Sequence, residues 1–249
     1  MAARLYSLAL SHPGHAARAM LVHKGIEHRV VNLMPGFHPL LLRGLGFRGP
    51  TVPALRLKDG RRVQGSLRIS RALEEVRLEP ALFPTDPGAR ELVIEAERWG
   101  EQVLQKVPQR IFRWAAAGQQ ELRAWMGREL VGIPAPELAG RMNQPLAARF
   151  ARASNATDES VRADLERLPS MLGEVDRLIA EGVIGAEQPN AADFQIASSI
   201  RALHAFDDVR PLLARRPGVE LAERLFPRFP GPIPLRVPAA WVPAARQLS

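Results

Sequence analysis

The sequence contains no cysteine. That excludes disulfides, thiolate metal sites and cysteine nucleophiles, so any thiol chemistry has to use a thiol that arrives with a substrate. Tyrosine occurs once, at Tyr6. No apolar run approaches the roughly 20 residues that a helix needs to cross a bilayer, so no membrane span is expected. There is no glycine-rich phosphate loop of standard spacing, no His-Glu-x-x-His pair and no internal repeat. His12-x-x-His15 lacks a third ligand nearby, so no metal is expected. The opening residues, MAARLYSLAL, lack a cleavage site and run straight into a strand-like pattern. They read as mature protein, which predicts a cytoplasmic location. Asn155-Ala156-Thr157 matches a glycosylation acceptor, but the secretory route that it needs is not expected.

What the chain does have is an ordinary globular composition. Its 249 residues are 46% hydrophobic and 24% charged, enough for one large domain or two modest ones. The net charge is +8. Its basic residues, mostly arginine, are interleaved with acids along the whole chain, and no run exceeds the pairs Arg61-Arg62 and Arg215-Arg216. This argues against a nucleic-acid partner and for solvated helix faces, with a pocket preferring an anion as the better use of the surplus.

The first eighty residues switch between two hydrophobic periods. RLYSLAL (4–10) reads as a strand. GHAARAMLVHKG (14–25) reads as a helix, with Ala17, Met20 and Leu21 at helical spacing and Gly25 as its stop. HRVVNL (28–33) is a β-branched run and a second strand, so the start is β-α-β with a parallel pair. PALRL (53–57) and RRVQ (61–64) flank Lys58-Asp59-Gly60, a tight hairpin signal. Ser66 is expected to cap a helix whose inner face is Ile69, Ala72, Leu73 and Val76. The proline-rich residues 77–89 mark a domain boundary.

Everything after Asp86-Pro87 reads helical. Leu92, Ala96, Trp99 and Val103 form one apolar stripe, Pro108 interrupts the pattern, and a further helix covers 110–130. Residues 132–153 read as loop with some helix. Thr157 opens a long helix with the seam Val161, Leu165, Leu168, Leu172, Val175 and Ile179, and Pro169 is expected to bend it. Asn190 caps another helix, with Asp193 three residues on. The tail from Phe226 is too proline-rich for regular structure and is expected to be extended.

The stretch GPTVPALRLKDGRRVQGSLRIS (49–70) carries most of the chemistry. A proline at the start of a strand donates nothing to the ladder. If Val52–Pro53 is cis, Val52 turns its N–H and C=O outward, where an extended peptide can pair by β-augmentation; a trans proline simply breaks an edge. At the mouth of a helix, Ser66 has two possible uses. It caps the helix, or its hydroxyl and the free N–H groups hold a carboxylate.

Taken together, Val52-Pro53 and Ser66-x-x-Ile69 resemble the glutathione-site half of the glutathione transferase superfamily. SHPGHAARAMLVHKGIEH (11–28) resembles the catalytic strand–loop–helix of its serine-type classes, with Ser11 at the loop. QPNAADFQIASS (188–199) resembles the buried capping-box helix of the second domain, with Asn190 where serine or threonine is usual.

The resemblance implies an α/β plus all-α fold. A thioredoxin-like domain would occupy 1–80, an all-helical domain 87–225 and a proline-rich tail 226–249. It implies glutathione as cosubstrate, bound by Val52, Pro53, Gln64, Gly65 and Ser66, with no metal. Ser11 would donate to the sulfur, with His12 or His15 as the other polar groups near it. The family usually has Glu or Gln immediately before the matching serine; here Gly65 stands there, with Gln64 one place earlier. A one-residue offset on a strand points a side chain to the other face. Under the same alignment Ser7 falls where tyrosine-type relatives keep their tyrosine, and Tyr6 is expected in the core. Trp99, Arg110, Arg113 and Trp114 would line the second-substrate cleft. The implied function is conjugation of the glutathione thiolate to a small electrophile, in a cytoplasmic homodimer with no nucleic-acid or membrane partner. The alternative is a non-catalytic ligand- or protein-binding protein on the same fold.

Overall fold

The structure, a computed structural model, describes residues 2–243; the last six residues of the proline-rich tail lie outside the described residues. The N-terminal part is a four-stranded sheet ordered β2-β1-β3-β4. Strand β1 (Ala3–Ser7) pairs in parallel with β2 (His28–Asn32), across the crossover helix α1 (His12–His23). Strand β3 (Ala54–Arg56) runs antiparallel to β1, and β4 (Arg62–Gln64) antiparallel to β3. The Lys58-Asp59-Gly60 turn closes that hairpin, with Leu57 N–H donating to Arg61 O at 2.9 Å. A short helix α2 (His38–Gly44) follows β2, and α3 (Ser66–Val76) follows β4. This is the thioredoxin-like half.

From Pro87 onward the described chain is helical: α4 (Pro87–Trp99), α5 (Lys106–Gly118), α6 (Gln120–Met126), α7 (Pro136–Met142), α8 (Gln144–Ala153), α9 (Asp158–Ala180), α10 (Ala191–Ala205) and α11 (Pro217–Leu225). Helix α10 is the hub. Thirteen of its fifteen residues are buried, because it packs against α1, α4 and α11 at once. A capping box starts it: Asn190 Oδ1 accepts from the Asp193 N–H at 3.2 Å and Asp193 Oδ2 from the Asn190 N–H at 2.8 Å. Asp193 Oδ1 also accepts from Gly185 N–H at 2.6 Å, so one buried carboxylate ties down the preceding loop. Burial raises its pKa to about 6.

The two halves share one hydrophobic core and two polar clamps. Ser70 and Arg71 of α3 both bond Glu97 of α4, whose side chain is 1% exposed. Lys24, at the end of α1, is fully buried; its ammonium pairs with Glu74 and donates to the carbonyls of Arg77 and Leu78 at 2.7 and 2.9 Å. A buried charge with all its donors engaged is how an interior lysine is tolerated. These bonds fix the segment that leaves the sheet for the helices.

Several sequence expectations shift by a turn or a face. The N-cap of α3 is Gly65, and Ser66 is the first helical residue. Gly65 has φ +89°, a left-handed conformation that a β-carbon disfavours, so the reversal needs glycine and the serine falls one place inside. Val76 is 46% exposed, outside the α3 inner face. In α4 the buried row is Val93, Ala96 and Glu97, while Leu92 and Val103 are half-exposed.

Pro108 does not end a helix. It sits in the first turn of α5, where a missing N–H costs nothing. The interruption comes earlier, as a π-helical turn over Gly100–Leu104. The stretch expected as one helix over 110–130 is divided between α5, α6 and a second π-helical turn, and 132–153 holds α7 and α8. Helix α9 runs continuously through Pro169. The tail is extended but anchored: Ile233 bridges to Phe206, and Gln119 bonds both the N–H and the C=O of Arg236.

Candidate functional site

Two clusters of candidate side chains lie in the thioredoxin-like half, at the starts of α3 and α1. The first surrounds the start of α3. The Val52–Pro53 peptide bond is cis. Neither the N–H nor the C=O of Val52 is hydrogen-bonded to any described residue. Ser66 is 2% exposed, and its hydroxyl likewise has no partner among the described residues. Beside them lies a cavity of about 650 Å³, lined by residues including Arg48, Gly65, Arg68 and Glu101.

Glu101 reaches this cavity from the helical half, because the π-helical turn over Gly100–Leu104 carries it. Such turns insert one extra residue and re-aim their side chains. Gly100 permits the close approach to α10: a β-carbon there would lie 2.9 Å from Ile196 Cγ1. The Glu101 carboxylate forms no ion pair or hydrogen bond with a described residue. Its pKa is raised by burial, and Arg68, Arg71 and Lys106 hold that rise down. A free acid, two arginines and an open helix N-terminus in one cavity suit a zwitterion: ammonium toward Glu101, carboxylate toward Ser66 and the helix.

Gln64 does not share this role. Its amide donates to the carbonyls of Gly49 and Thr51 at 2.9 and 3.1 Å and accepts from Gly49 N–H at 2.7 Å. The residue lines the cavity, but its side-chain amide is spent holding the loop before β3.

The second cluster surrounds the start of α1. Ser11 is its N-cap, and Ser11 Oγ accepts from Gly14 N–H at 3.2 Å. That bond uses a lone pair and leaves the hydroxyl proton free to donate. Ser7, at the end of β1, is 4% exposed and donates to Leu8 O at 3.3 Å. A β-carbon on residue 14 would collide with Ser7 Oγ, so Gly14 is what lets the helix start sit against the strand.

His12 is 4% exposed, and its Nε2 has no partner. Burial, helped by the positive fields of His15 and Arg113, lowers its pKa to about 3, and a contact with the Gln105 backbone only partly opposes this. It is a neutral imidazole wedged between the two halves. His15 is drawn elsewhere: Nε2 bonds Ala9 O at 2.8 Å, and the ring packs against Phe229 at 4.8 Å. Tyr6 is buried edge-on to Phe47, in the small core on the far side of the sheet.

Residues 11–76 match the family model described as glutathione S-transferase, N-terminal domain. The N-terminal domain belongs to the glutathione S-transferase superfamily. Among solved structures, the chain is similar to the β-etherase LigF from Sphingobium sp. strain SYK-6, at 22% identity and TM-score 0.58, over 92% of this chain and 96% of that one. It is similar to a Tau class glutathione S-transferase from mango, Mangifera indica, at 15% identity and TM-score 0.62, over 93% and 94%. A glutathione S-transferase from Methylobacterium radiotolerans, solved in complex with glutathione sulfonate, matches at 20% identity and TM-score 0.54, over 96% and 97%. These likenesses carry the fold across the whole chain. No curated protein matches the sequence.

In this glutathione S-transferase fold the sequence candidates divide. Gln64 and Gly65 line the large cavity, the Gly65 N–H bond to Pro53 O at 2.9 Å brings Val52-Pro53 next to Gly65-Ser66, and Ser11 and His12 are neighbours at the start of α1. Of the four cleft candidates, only Arg113 adds its positive field to those that lower the His12 pKa. Trp99 lines a separate groove between α4 and α9, with Leu92 and Arg177. Arg110 is committed to Asp164 of α9 at 2.5 Å. Trp114 donates to Asp158 at 2.7 Å, and its ring lies 5.4 Å from that of Trp241 in the tail. All three are pulled toward α9 or the tail because those elements supply their acceptors and apolar partners.

Glu101, Arg48, Arg68 and His38 were not among the sequence candidates. Glu101 depends on a π-helical turn that has no residue signature of its own. The other three are ordinary surface types until the fold gathers them.

Proposed function

We propose that the protein is a glutathione transferase that joins the glutathione thiolate to a small electrophile. The observation that carries this reading is the unpaired Val52 main chain and the free Ser66 hydroxyl, joined through the Pro53 O–Gly65 N–H bond, with Gly65 and Glu101 lining one cavity. The peptide backbone of glutathione pairs with Val52. Its γ-glutamyl carboxylate takes the Ser66 hydroxyl and the first N–H groups of α3, and its ammonium faces Glu101. Glu101 thus supplies the acid that Gly65 does not.

The sulfur lies toward α1. A thiol is mostly protonated near neutral pH. The free proton of Ser11 and the positive end of α1 stabilise the thiolate, and each unit of pKa lowering requires about 1.4 kcal/mol of preference for the charged form. The thiol proton passes to solvent. The sulfur lone pair then forms a carbon–sulfur bond to the electrophile, and its leaving group departs with the bonding pair. Neutral His12 shields this step from water without competing for the proton. The complex of the Methylobacterium radiotolerans neighbour with glutathione sulfonate supports a tripeptide of this kind as the ligand. The reading includes a cytoplasmic location and a homodimer, the latter supported by the exposed apolar side chains Val76, Leu78, Leu92 and Val103 on and beside α3 and α4.

Calorimetric titration of the full chain with glutathione tests the reading. Wild type should bind, and Ser66→Ala should weaken binding by about tenfold, the value of one hydrogen bond to a charged group. Failure of the wild type to bind overturns it, and binding without turnover of any aromatic halide assigns the chain to the binding proteins of this fold.

A further inference from the structure

The strand register gathers arginines that the sequence keeps apart. Arg29 of β2 is paired with Arg4 of β1, Arg4 with Arg56 of β3, and Arg56 with Arg62 of β4. Residues directly opposite one another point to the same face of a sheet, so each strand contributes one guanidinium to a single row about 14 Å long. The alternate residues Leu5, Leu55 and Val63 point the other way, into the main core under α1 and α3. Neighbouring acids are committed elsewhere: Glu27 to Lys58 at 3.5 Å, and Asp59 and Glu75 to Arg61. None of the four arginines forms an ion pair with a described residue, and of their side chains only that of Arg62 is hydrogen-bonded to one, Nε donating to Leu45 O at 2.9 Å. Like charges set directly opposite on a sheet repel. The row suits a partner that presents several negative charges in a plane.

The same face carries exposed apolar side chains. Helix α2 covers one end of it, with Leu42 buried against Tyr6 and Ala54. Its other side leaves Phe37, Leu40 and Leu41 in solvent, Leu40 being 71% exposed. Val31, two residues along β2 from Arg29, is half-exposed on the arginine face. The Arg62 bond to Leu45, just past α2, joins the row to that helix. No Asp or Glu occurs between Glu27 and Asp59, so β2, α2 and β3 present no negative charge of their own. We propose that this face docks on the surface of a bilayer rich in anionic lipid. The arginines pair with headgroup phosphates and carboxylates, while Phe37, Leu40 and Leu41 enter the boundary of the acyl chains. A nucleic acid would meet the arginines and leave those apolar groups in water. A second copy of the chain would set one arginine row against another, and the residues assigned to the homodimer lie on and beside α3 and α4, of which α3 packs on the opposite face of the sheet. The docking is independent of the transferase reading. It departs from the expectation of no membrane partner, because lying on a bilayer needs no spanning helix.

The test is sedimentation of the full chain with lipid vesicles. Phosphatidylcholine vesicles with about a third phosphatidylserine should bind the wild type at least about tenfold more tightly than phosphatidylcholine alone at low ionic strength, and the preference should shrink toward physiological salt. R4Q/R56Q removes the two central charges and should weaken binding to the mixed vesicles by about twenty-fivefold, about fivefold for each arginine. R141Q/R152Q removes the same charge from α7 and α8 and should change binding by less than about twofold; an equal loss would assign the attraction to net charge and overturn the site. The urea midpoint of R4Q/R56Q should not fall below that of the wild type, since a repulsion is relieved; a lower midpoint would show the row stabilised within the chain and overturn the argument. L40S should weaken binding by about tenfold even at physiological salt, where charge contributes less. Polyuridylate is the probe for the competing partner. If it binds, R4Q/R56Q loses it, L40S keeps it and the mixed vesicles do not bind, the row belongs to a nucleic acid and the membrane reading is overturned. Equal binding to the two kinds of vesicle, binding to neither, or equal binding by wild type and R4Q/R56Q overturns it as well.

Discussion

Acidification should destabilise this protein through His12. The imidazole is 4% exposed, and its pKa is lowered from 6.5 to about 3, chiefly by burial. In the unfolded chain it returns to its ordinary value of about 6.5. Between those two values the folded state binds fewer protons than the unfolded state. The stability tied to a neutral His12 is therefore complete above pH 6.5 and is lost as pH falls through the window toward 3. Going from pH 7 to pH 5 costs about 2 kcal/mol, and the loss approaches about 5 kcal/mol once pH is below the folded value.

Other groups titrate over the same range. Burial also lowers His15, His23, His38 and His204, which add to the loss. Asp193, raised to about 6, works in the opposite direction, since its folded form holds a proton more tightly. The difference between wild type and His12→Gln cancels these shared terms. Urea unfolding followed by far-ultraviolet circular dichroism at pH 7 and pH 5 should show the wild type losing about 2 kcal/mol more than the variant. Equal losses in the two proteins would refute the claim that His12 is held neutral by the interface.

Three further substitutions probe the joints of the molecule. Glu97→Ala removes the acceptor shared by Ser70 and Arg71; Arg71 keeps some solvent, so the loss should be about 2–3 kcal/mol, read as a lower urea midpoint, and an unchanged midpoint would mean the clamp carries no stability. Gly100→Ala forces a methyl group against Ile196 and Gln195 of α10 and should cost about 1–3 kcal/mol in thermal unfolding; tolerance of the methyl would show that the π-helical turn is not tightly packed there. Ser11→Ala should raise the pKa of bound glutathione by about one unit, seen as a shift in thiolate ultraviolet absorbance against pH, and no shift would hand the donor role to Ser7.

Some features were decided locally, and these are the ones the sequence alone determined. The β-α-β start follows from hydrophobic period and the Gly25 stop. The hairpin follows from Asp59-Gly60, and the α10 start from Asn190 and Asp193, since in each case the deciding atoms lie within a few residues of one another. Val52-Pro53 and Ser66 were legible for the same reason: a backbone-pairing edge and a helix mouth are properties of one short stretch. The cap at Gly65 was missed by one residue, because a left-handed φ is a choice between neighbouring positions that composition does not reveal.

Only the tertiary structure decided the rest. Arg110, Arg113 and Trp114 lie within two turns of one helix and read alike as a string. Long-range partners separate them: Asp164 and Asp158 claim two, and no acid among the described residues pairs with the third. Glu101 enters the cavity because one extra residue in a helical turn rotates it there, and His12 turns neutral because the helical half closes over it. Charge state and pairing depend on which surfaces meet across the fold, and desolvation acts only after they have met.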